Sequence, residues 1–274
     1  MHIFRFMLVL GLLGALSACA TSPTGRHQLR LVSPEQAAQA GNQSFAQIKK
    51  QTPVDTDVAD NRYAACIVRA LAGATGNPNG GGNWDVTVFR QDKTVNAFAL
   101  PGGHVSVYTG IFRVAKTPGE LAAVLGHEMG HVQAAHGAER MSDQMATQGV
   151  LDVAAVIAGI DPGTDSGKAA VSAMGAGAQV GVLLPFNRAQ ESEADELGLR
   201  YMSAAGFDPR EALELWRNMM SANLGAPPEV LSDHPSDKNR LEDLQGKLPG
   251  ALRFYQAALA QGKHPDCAAP GFPG

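Results

Sequence analysis

A run of five residues near the middle of the chain, His127-Glu128-Met129-Gly130-His131, has the spacing of a catalytic zinc site on a helix. The two histidines are four residues apart, slightly more than one helical turn, so both imidazoles project from the same face. Glu128 directly follows the first histidine, where its carboxylate can take a proton from a water molecule that the metal activates. The run therefore predicts one Zn²⁺ per chain, with His127 and His131 as ligands and Glu128 as general base.

The residues after this run exclude one class of zinc site. The extended form of the motif has a glycine and a third histidine where this chain has Ala134 and Gly137. His136 lies nine residues after His127 and projects from the opposite side of a helix, so we do not expect it to bind the metal. The third ligand must then come from another part of the chain.

A downstream carboxylate is the remaining route to a third ligand. The segment from Glu191 to Asp195 reads Glu-Ser-Glu-Ala-Asp, and its first and last residues lie at i and i+4 on a single helical face. Glu193 points elsewhere on such a helix, and we expect it to contact solvent. The spacing therefore selects Glu191 and Asp195 as the pair that faces the metal.

Further motifs accompany these two segments: Thr24-Gly25-Arg26, the run Asn-Ala-Phe-Ala-Leu-Pro-Gly-Gly at 96–103, and His234-Pro235 with Arg240. With them, over most of residues 24–245, the chain resembles the HtpX and CAAX prenyl protease type of HExxH metallopeptidase, in its soluble bacterial lipoprotein branch. The resemblance implies a zincin-like (gluzincin) peptidase domain. It also implies a substrate that is a protein or peptide.

The resemblance assigns roles to several residues. Glu191 is implied as the third zinc ligand, and Asp195 as the carboxylate that orients a ligand histidine. His234 is implied to lie near the metal, as an oxyanion stabiliser or as a fourth zinc ligand in a latent state. The alternative for His234 is a turn residue capped by Asp233. Arg240 is expected to brace that loop.

A short strand is predicted beside the metal. An exposed edge strand can pair with an extended peptide through backbone hydrogen bonds and hold its scissile carbonyl over the metal. A plain structural hairpin is the alternative, since a Pro-Gly-Gly turn needs no catalytic explanation. The substrate-binding residues of this strand are expected to be Asn96, Ala97, Phe98 and Ala99.

The pattern along the chain predicts an α+β fold that is predominantly α-helical. Alternating, Val- and Thr-rich segments predict a small antiparallel sheet beside the HExxH helix, with strands at 84–89, 95–100 and 104–108. Helical periodicity and capping signals predict helices at 34–50, 54–71, 189–205, 209–222 and 237–261 besides the one that carries HExxH. Residues 149–186 are expected to form a helical hairpin that covers a cleft or dips into a membrane surface.

The N-terminus has the layout of an export signal. Residues 1–18 hold a weakly basic start, an apolar run and small residues, and the junction Leu16-Ser17-Ala18-Cys19 resembles a bacterial lipobox. We expect Cys19 to be acylated and to anchor the chain to the bacterial outer membrane, facing the periplasm. The expected organisation is a signal at 1–18, a lipidated tether at 19–32, one metallopeptidase domain at 33–262 and a loose tail at 263–274.

Composition limits the classes of partner. Of the 274 residues 45% are hydrophobic and 18% are charged, the net charge is −4 and the pI is about 6.0, so nucleic-acid binding is not expected. Besides Cys19 the chain has two cysteines, Cys66 and Cys267. In an oxidising compartment we expect them to form a disulfide.

The motifs favour a zinc endopeptidase of envelope proteins. The resemblance implies that it acts on unfolded or misassembled chains in protein quality control, with the outer-membrane assembly machinery as a further partner. An envelope chaperone or assembly factor with a latent zinc site is the alternative. The sequence disfavours a third hypothesis, a purely structural zinc protein. Structural zinc sites usually have four protein ligands, many of them cysteines, and no cysteine lies near this cluster in the sequence.

Overall fold

The structure, a computed structural model, describes residues 19–161, 163–178, 184–221 and 240–269, with the backbone alone for 173–178 and 184–187. Helices dominate, which confirms the predicted α+β, mainly helical class. The helices are α1 (Pro34–Gln51), α2 (Val58–Thr75), α3 (Pro118–Gln133), α4 (His136–Ile157), α5 (Asp165–Ala178), α6 (Leu184–Ala205), α7 (Glu211–Ser221) and α8 (Arg240–Ala260). The strands are β1 (Cys19–Thr21), β2 (His27–Leu29), β3 (Asp85–Phe89), β4 (Ala97–Leu100) and β5 (His104–Tyr108).

A three-stranded sheet with the order β3-β5-β4 packs beside α3. Strands β4 and β5 form the predicted antiparallel hairpin around Pro101, with left-handed backbone at Gly102 and Gly103. The prediction of an all-antiparallel sheet was wrong for β3, which pairs parallel to β5. The cause is that β4 follows β3 in sequence but lies on the far side of β5. The chain runs back along β4 and then forward along β5, so β5 lies beside β3 and runs in the same direction.

The N-terminal segment differs from the predicted tether. Strands β1 and β2 pair antiparallel, and the segment that follows them is held to α4, where the Ser142 hydroxyl accepts from the backbone N–H groups of Leu31 and Val32. Gln28 is buried and donates to the backbone oxygen of Ala134. This docking was hidden in the sequence because the partners of these polar residues lie more than 100 positions away.

Several helix boundaries also differ from the predictions. The apolar stretch that begins at Gly149 is the distal half of the longer helix α4, and α6 begins at Leu184, five residues before the predicted start. Within the predicted helical hairpin at 149–186, the described residues form the end of α4 and helix α5, which pack against each other, while residues 179–183 lie outside the described residues. None of the helices among the described residues is long and apolar enough to span a membrane.

The core lies where α3 packs against α2, α6, α7 and the sheet. The Cys66–Cys267 disulfide is present, which confirms that prediction, and it joins α2 to the segment after α8. Within the segment predicted as a loose tail, the disulfide and two local contacts hold the chain to the fold. Cys267 is buried, and the backbone oxygen of Lys263 lies against Gly206.

Candidate metal centre

Helix α3 places the two histidines of HExxH at the centre of the molecule. Thr117 caps the helix by accepting a hydrogen bond from the backbone N–H of Glu120, and Pro118 occupies the first turn. Almost every residue of α3 is buried, including His127, Glu128 and His131. A fully buried helix fixes both imidazoles from all sides, which suits it to hold a metal site.

Helix α6 crosses α3 closely, and glycine permits this approach. A β-carbon at position 198 would lie 2.8 Å from the backbone nitrogen of His127, a separation that real contacts do not show. On α3, a β-carbon at Gly126 would lie 3.1 Å from the backbone oxygen of Gly198. Because the two backbones nearly touch here, Glu191 on the preceding turns of α6 reaches the histidines.

The donor atoms of three side chains meet at this crossing. The Nε2 atoms of His127 and His131 are 3.0 Å apart, and Glu191 places a carboxylate oxygen 3.3 Å from the first and the other 3.4 Å from the second. Among the described residues, these three form the one cluster of His, Cys, Asp or Glu side chains able to hold a metal ion.

The donor set fits zinc. Zinc binds imidazole nitrogen at about 2.0–2.1 Å and carboxylate oxygen at about 2.0–2.2 Å, and a tetrahedron with such arms has edges of about 3.3–3.5 Å. The observed separations come close to these edges: 3.0 Å between the two Nε2 atoms, and 3.3 and 3.4 Å from them to the two different carboxylate oxygens of Glu191. Two histidines and a glutamate also match the chemistry of a catalytic zinc site, which has three protein ligands.

Asp195 and Arg240 hold the outer side of His127. The Asp195 carboxylate lies 2.9 Å from Nδ1 of His127, and Arg240 donates to both carboxylate oxygens at 2.6 and 2.8 Å. The Arg240 guanidinium also stacks on Trp216, with 4.1 Å to the ring centroid. The Asp195 carboxylate accepts hydrogen bonds from Arg240 on one side and from the Nδ1–H of His127 on the other. The Nε2 atom of His127 then faces His131 and Glu191.

The charges around the histidines shift their titration in opposite directions. Burial lowers the pKa of His127, but the Asp195 and Glu191 carboxylates outweigh it and raise the pKa to about 9. Burial holds the pKa of His131 well below its usual range, although Glu191 opposes this. The two ligand candidates therefore differ in environment, and the difference comes from the Asp195 carboxylate, which faces only His127.

A second polar chain holds His131. Its Nδ1 lies 2.8 Å from Nδ1 of His136, whose Nε2 lies 3.2 Å from Glu193. His136 is not one of the three convergent donors, as expected, but it is fully buried and contacts the ring of His131. The prediction that Glu193 contacts solvent was wrong: the side chain is buried, because α6 turns it toward α4 and the N-terminal hairpin.

Arg26 connects this chain to the N-terminal hairpin. Its guanidinium donates to both carboxylate oxygens of Glu139 at 2.6 Å and, through Nε, to Glu193 at 2.7 Å. The hydroxyl of Thr24 donates to the other oxygen of Glu193 at 2.6 Å. Burial alone would raise the pKa of Glu193, but the hydrogen bonds with His136, Thr24 and Arg26 hold it well below its usual range.

Two clefts border the metal centre. One is walled by α3, α6, α7 and α8 and ends at His127 and Glu128, with apolar side chains from Val124, Met202, Leu215, Trp216 and Met219. The other runs between α4 and the hairpin turn, past His131 and Arg140, to Ala99, Leu100 and Pro101 of the β4 hairpin. The site is therefore reachable from the side of β4.

The predicted substrate strand lies at the expected edge. Within the described residues β4 pairs only with β5, so its other edge faces away from the sheet. Asn96 and Ala97 are buried, and the Asn96 side chain accepts from the backbone N–H of Ala97, whereas Phe98 and Ala99 are half-buried. The side chains of Phe98 and Ala99 are thus the accessible ones of the four.

The remaining predicted site residue, His234, lies outside the described residues, as does Pro235. Several residues of the site escaped the sequence analysis in their observed roles, among them Arg26, His136, Glu139 and Glu193. Arg240, expected to brace the His234 loop, is found to bind Asp195. Arg26 and Glu193 do belong to the quoted motifs, which was the available signal. Nothing in their spacing shows that they meet.

Comparisons with known proteins agree with this geometry. The family model described as Peptidase family M48 matches residues 59–248. The chain is 41% identical over 170 residues to Mitochondrial metalloendopeptidase OMA1 of Schizosaccharomyces pombe, covering 61% of this chain and 48% of the relative. It is 34% identical over 157 residues to Beta-barrel assembly-enhancing protease of Yersinia pestis, covering 56% and 32%. It is 35% identical over 182 residues to Mitochondrial metalloendopeptidase OMA1 of Arabidopsis thaliana, covering 65% and 35%. The matched region thus spans about a third to a half of the length of these relatives.

Proposed function

Because the chain belongs to peptidase family M48, we propose that it is a zinc-dependent endopeptidase that hydrolyses peptide bonds in envelope proteins. The single observation that carries the proposal is the convergence of His127, His131 and Glu191 within 3.0–3.4 Å, with Glu128 on the same helix. This arrangement offers three protein ligands, as catalytic zinc sites do, and a carboxylate beside them.

The residues of the site divide the chemistry between them. His127, His131 and Glu191 would hold a zinc ion, which would supply the Lewis acidity that acidifies a water molecule and polarises the scissile carbonyl. Glu128 accepts the proton of the attacking water and returns it to the leaving amine nitrogen. Asp195 keeps the proton of His127 on Nδ1, so the ligand nitrogen stays directed at the metal.

The substrate binds along β4 in this proposal. An extended peptide adds to the edge of β4 that pairs with no other described strand, through backbone hydrogen bonds that carry no sequence requirement. This mode suits unfolded chains, since their backbone groups are accessible. His234 acts beside the metal, stabilising the oxyanion or occupying the fourth ligand position in a latent state.

The setting of the activity is proposed from the N-terminus and from the relatives. The lipobox at Cys19 supports acylation and an outer-membrane anchor that faces the periplasm. A relative named for enhancing β-barrel assembly supports a role in quality control of misassembled envelope proteins. Contact with the outer-membrane assembly machinery is part of the same proposal.

Chelation tests the zinc-dependent activity. The mature chain is the chain without the predicted signal at 1–18. Its cleavage of casein is expected to stop when a chelator removes the metal and to return when Zn²⁺ is added, with the circular dichroism spectrum retained throughout. Loss of the folded spectrum on chelation would assign the metal a structural role instead. A protein that suppresses aggregation of unfolded casein, without cleaving it at full zinc occupancy, would support the chaperone alternative.

A further inference from the structure

The chain of polar contacts behind His131 ends in the N-terminal hairpin, far from the HExxH run in sequence. It passes from His131 to His136, from His136 to Glu193, and from Glu193 to Arg26 and Thr24. His136, Glu193 and Glu139 are buried, so these contacts are shielded from solvent. The order of the protons along this chain decides which nitrogen His131 offers to a metal.

The proton order follows from the far end of the chain. Both oxygens of Glu193 accept hydrogen bonds, one from Thr24 and the other from Nε of Arg26, as an ionised carboxylate does. His136 therefore donates to Glu193 through Nε2–H. A neutral imidazole has one donor and one acceptor, so Nδ1 of His136 accepts from Nδ1–H of His131. His131 is left with its lone pair on Nε2, which is the atom that faces His127 and Glu191.

The backbone between α3 and α4 brings His136 to this position. Ala135 has left-handed backbone with φ of 55°, the one non-glycine residue with positive φ among those described. The turn ends α3 and starts α4 in a new direction, so His136 faces back toward His131 and does not continue around α3. A left-handed alanine is strained, and the surrounding contacts must offset that strain.

From these contacts we infer that His136 is a positioning residue for the metal ligand His131, and that Glu193, Arg26 and Thr24 hold it in its working orientation. The N-terminal hairpin is thus part of the support of the metal centre. Asp195 and Arg240 provide the equivalent support for His127. The inference rests on the proposed function only in requiring that the centre binds zinc.

Zinc affinity of the mature chain, measured by competition with a chromophoric chelator, tests this inference. His136→Ala is expected to lower the affinity by about 10–100-fold, the usual effect of losing such a partner. His136→Gln carries one acceptor and one donor in its amide and is expected to restore part of the loss. Arg26→Gln is expected to produce a smaller loss in the same direction, because Thr24 still binds Glu193.

The matched control is Asp57→Ala, which removes the N-cap of α2 at an exposed position. It is expected to lower thermal stability while leaving zinc affinity unchanged. A nitrogen-15 spectrum of the zinc-loaded protein should in addition show the proton of His131 on Nδ1. If His136→Ala unfolds the chain, His136→Gln and Arg26→Gln carry the test.

Unchanged zinc affinity in folded His136 and Arg26 variants, or a proton of His131 on Nε2 with the metal at Nδ1, would overturn the inference. Casein cleavage is recorded separately. A wild-type chain that binds zinc but does not cleave casein would contradict the proposed function while leaving the affinity comparison intact. A chain that binds no zinc at all would overturn both.

Discussion

The α-carbon of Gly198 faces the backbone of His127 so closely that a β-carbon there would lie 2.8 Å from the His127 nitrogen and 3.0 Å from its α-carbon. This contact brings α6 near enough to α3 for Glu191 to meet the two histidines. The short separation of the two helical backbones, which Gly198 and Gly126 permit, therefore allows the metal centre to form.

Gly198→Ala is expected to push the two helices apart. The atoms in its way belong to backbone and cannot rotate aside, so we expect a loss of about 1–3 kcal/mol in the free energy of unfolding, together with weaker zinc binding. Urea unfolding and chelator competition measure the two effects. The matched control is Gly149→Ala in α4, where a β-carbon meets no atom within 4 Å and should stabilise the chain by up to about 1 kcal/mol. Zinc binding by Gly198→Ala equal to that of the wild type would refute the role given to this crossing.

Asp195→Asn tests the support of His127. The amide keeps the shape of the carboxylate but leaves the buried Arg240 guanidinium with only the more distant Glu191 carboxylate, 3.7 Å away, and gives His127 a weaker acceptor. Zinc affinity is expected to fall by about 10–100-fold, and stability to fall by up to about 3–5 kcal/mol. Glu196→Gln, on the exposed face of the same helix, is the control and should change neither quantity. Equal zinc affinities for both variants would show that Asp195 does not act through His127.

The disulfide between Cys66 and Cys267 is expected to contribute to stability. It closes a loop of 201 residues, and loss of a native bridge typically costs about 2–5 kcal/mol. Reductant should lower the unfolding midpoint of the wild type and leave that of the Cys66→Ala/Cys267→Ala double variant unchanged. Two free thiols in the oxidised, purified protein, detected by alkylation and mass spectrometry, would contradict the bridge.

The sequence predicts the parts of the fold and of the site whose residues lie close together along the chain, and it misses contacts between residues that lie far apart. His127, Glu128 and His131 were identifiable because one helix fixes their relation, and Glu191 because it shares a motif with Asp195. The parallel pairing of β3 with β5 was missed, since alternation along a strand does not give the direction of its partner. Glu193 was misjudged for a similar reason: its partner Arg26 lies 167 residues away. The break at Ala135, which turns His136 toward His131, carries no glycine or proline signal at that position.

Asp60 provides a pH test of the fold. Burial, with Asp55 and Asp57 nearby, raises its pKa from the ordinary 3.8 to about 6. The folded state therefore holds this proton more tightly than the unfolded state does. The resulting stability is fully present below about pH 4 and is lost as the pH rises through 6.

Asp60→Asn removes the penalty of a charged Asp60. Relative to the wild type, the variant is expected to gain thermal stability at pH 7.5 and to show little difference at pH 4. Thermal melts at the two pH values measure this difference. Asp243→Asn, an exposed aspartate in the first turn of α8, is the control and should show no such pH dependence of its effect. A variant with the same relative stability at both values would rule out the raised pKa.

The most direct test of the account is casein cleavage by the mature chain and by its Glu128→Gln variant, with zinc content measured in both. Glutamine keeps the shape of the side chain on α3 but cannot accept the proton of the attacking water. We expect equal zinc in the two proteins, cleavage by the wild type and none by the variant. Undiminished cleavage by Glu128→Gln would contradict the assigned base, and no cleavage by a zinc-loaded wild type would contradict the peptidase itself.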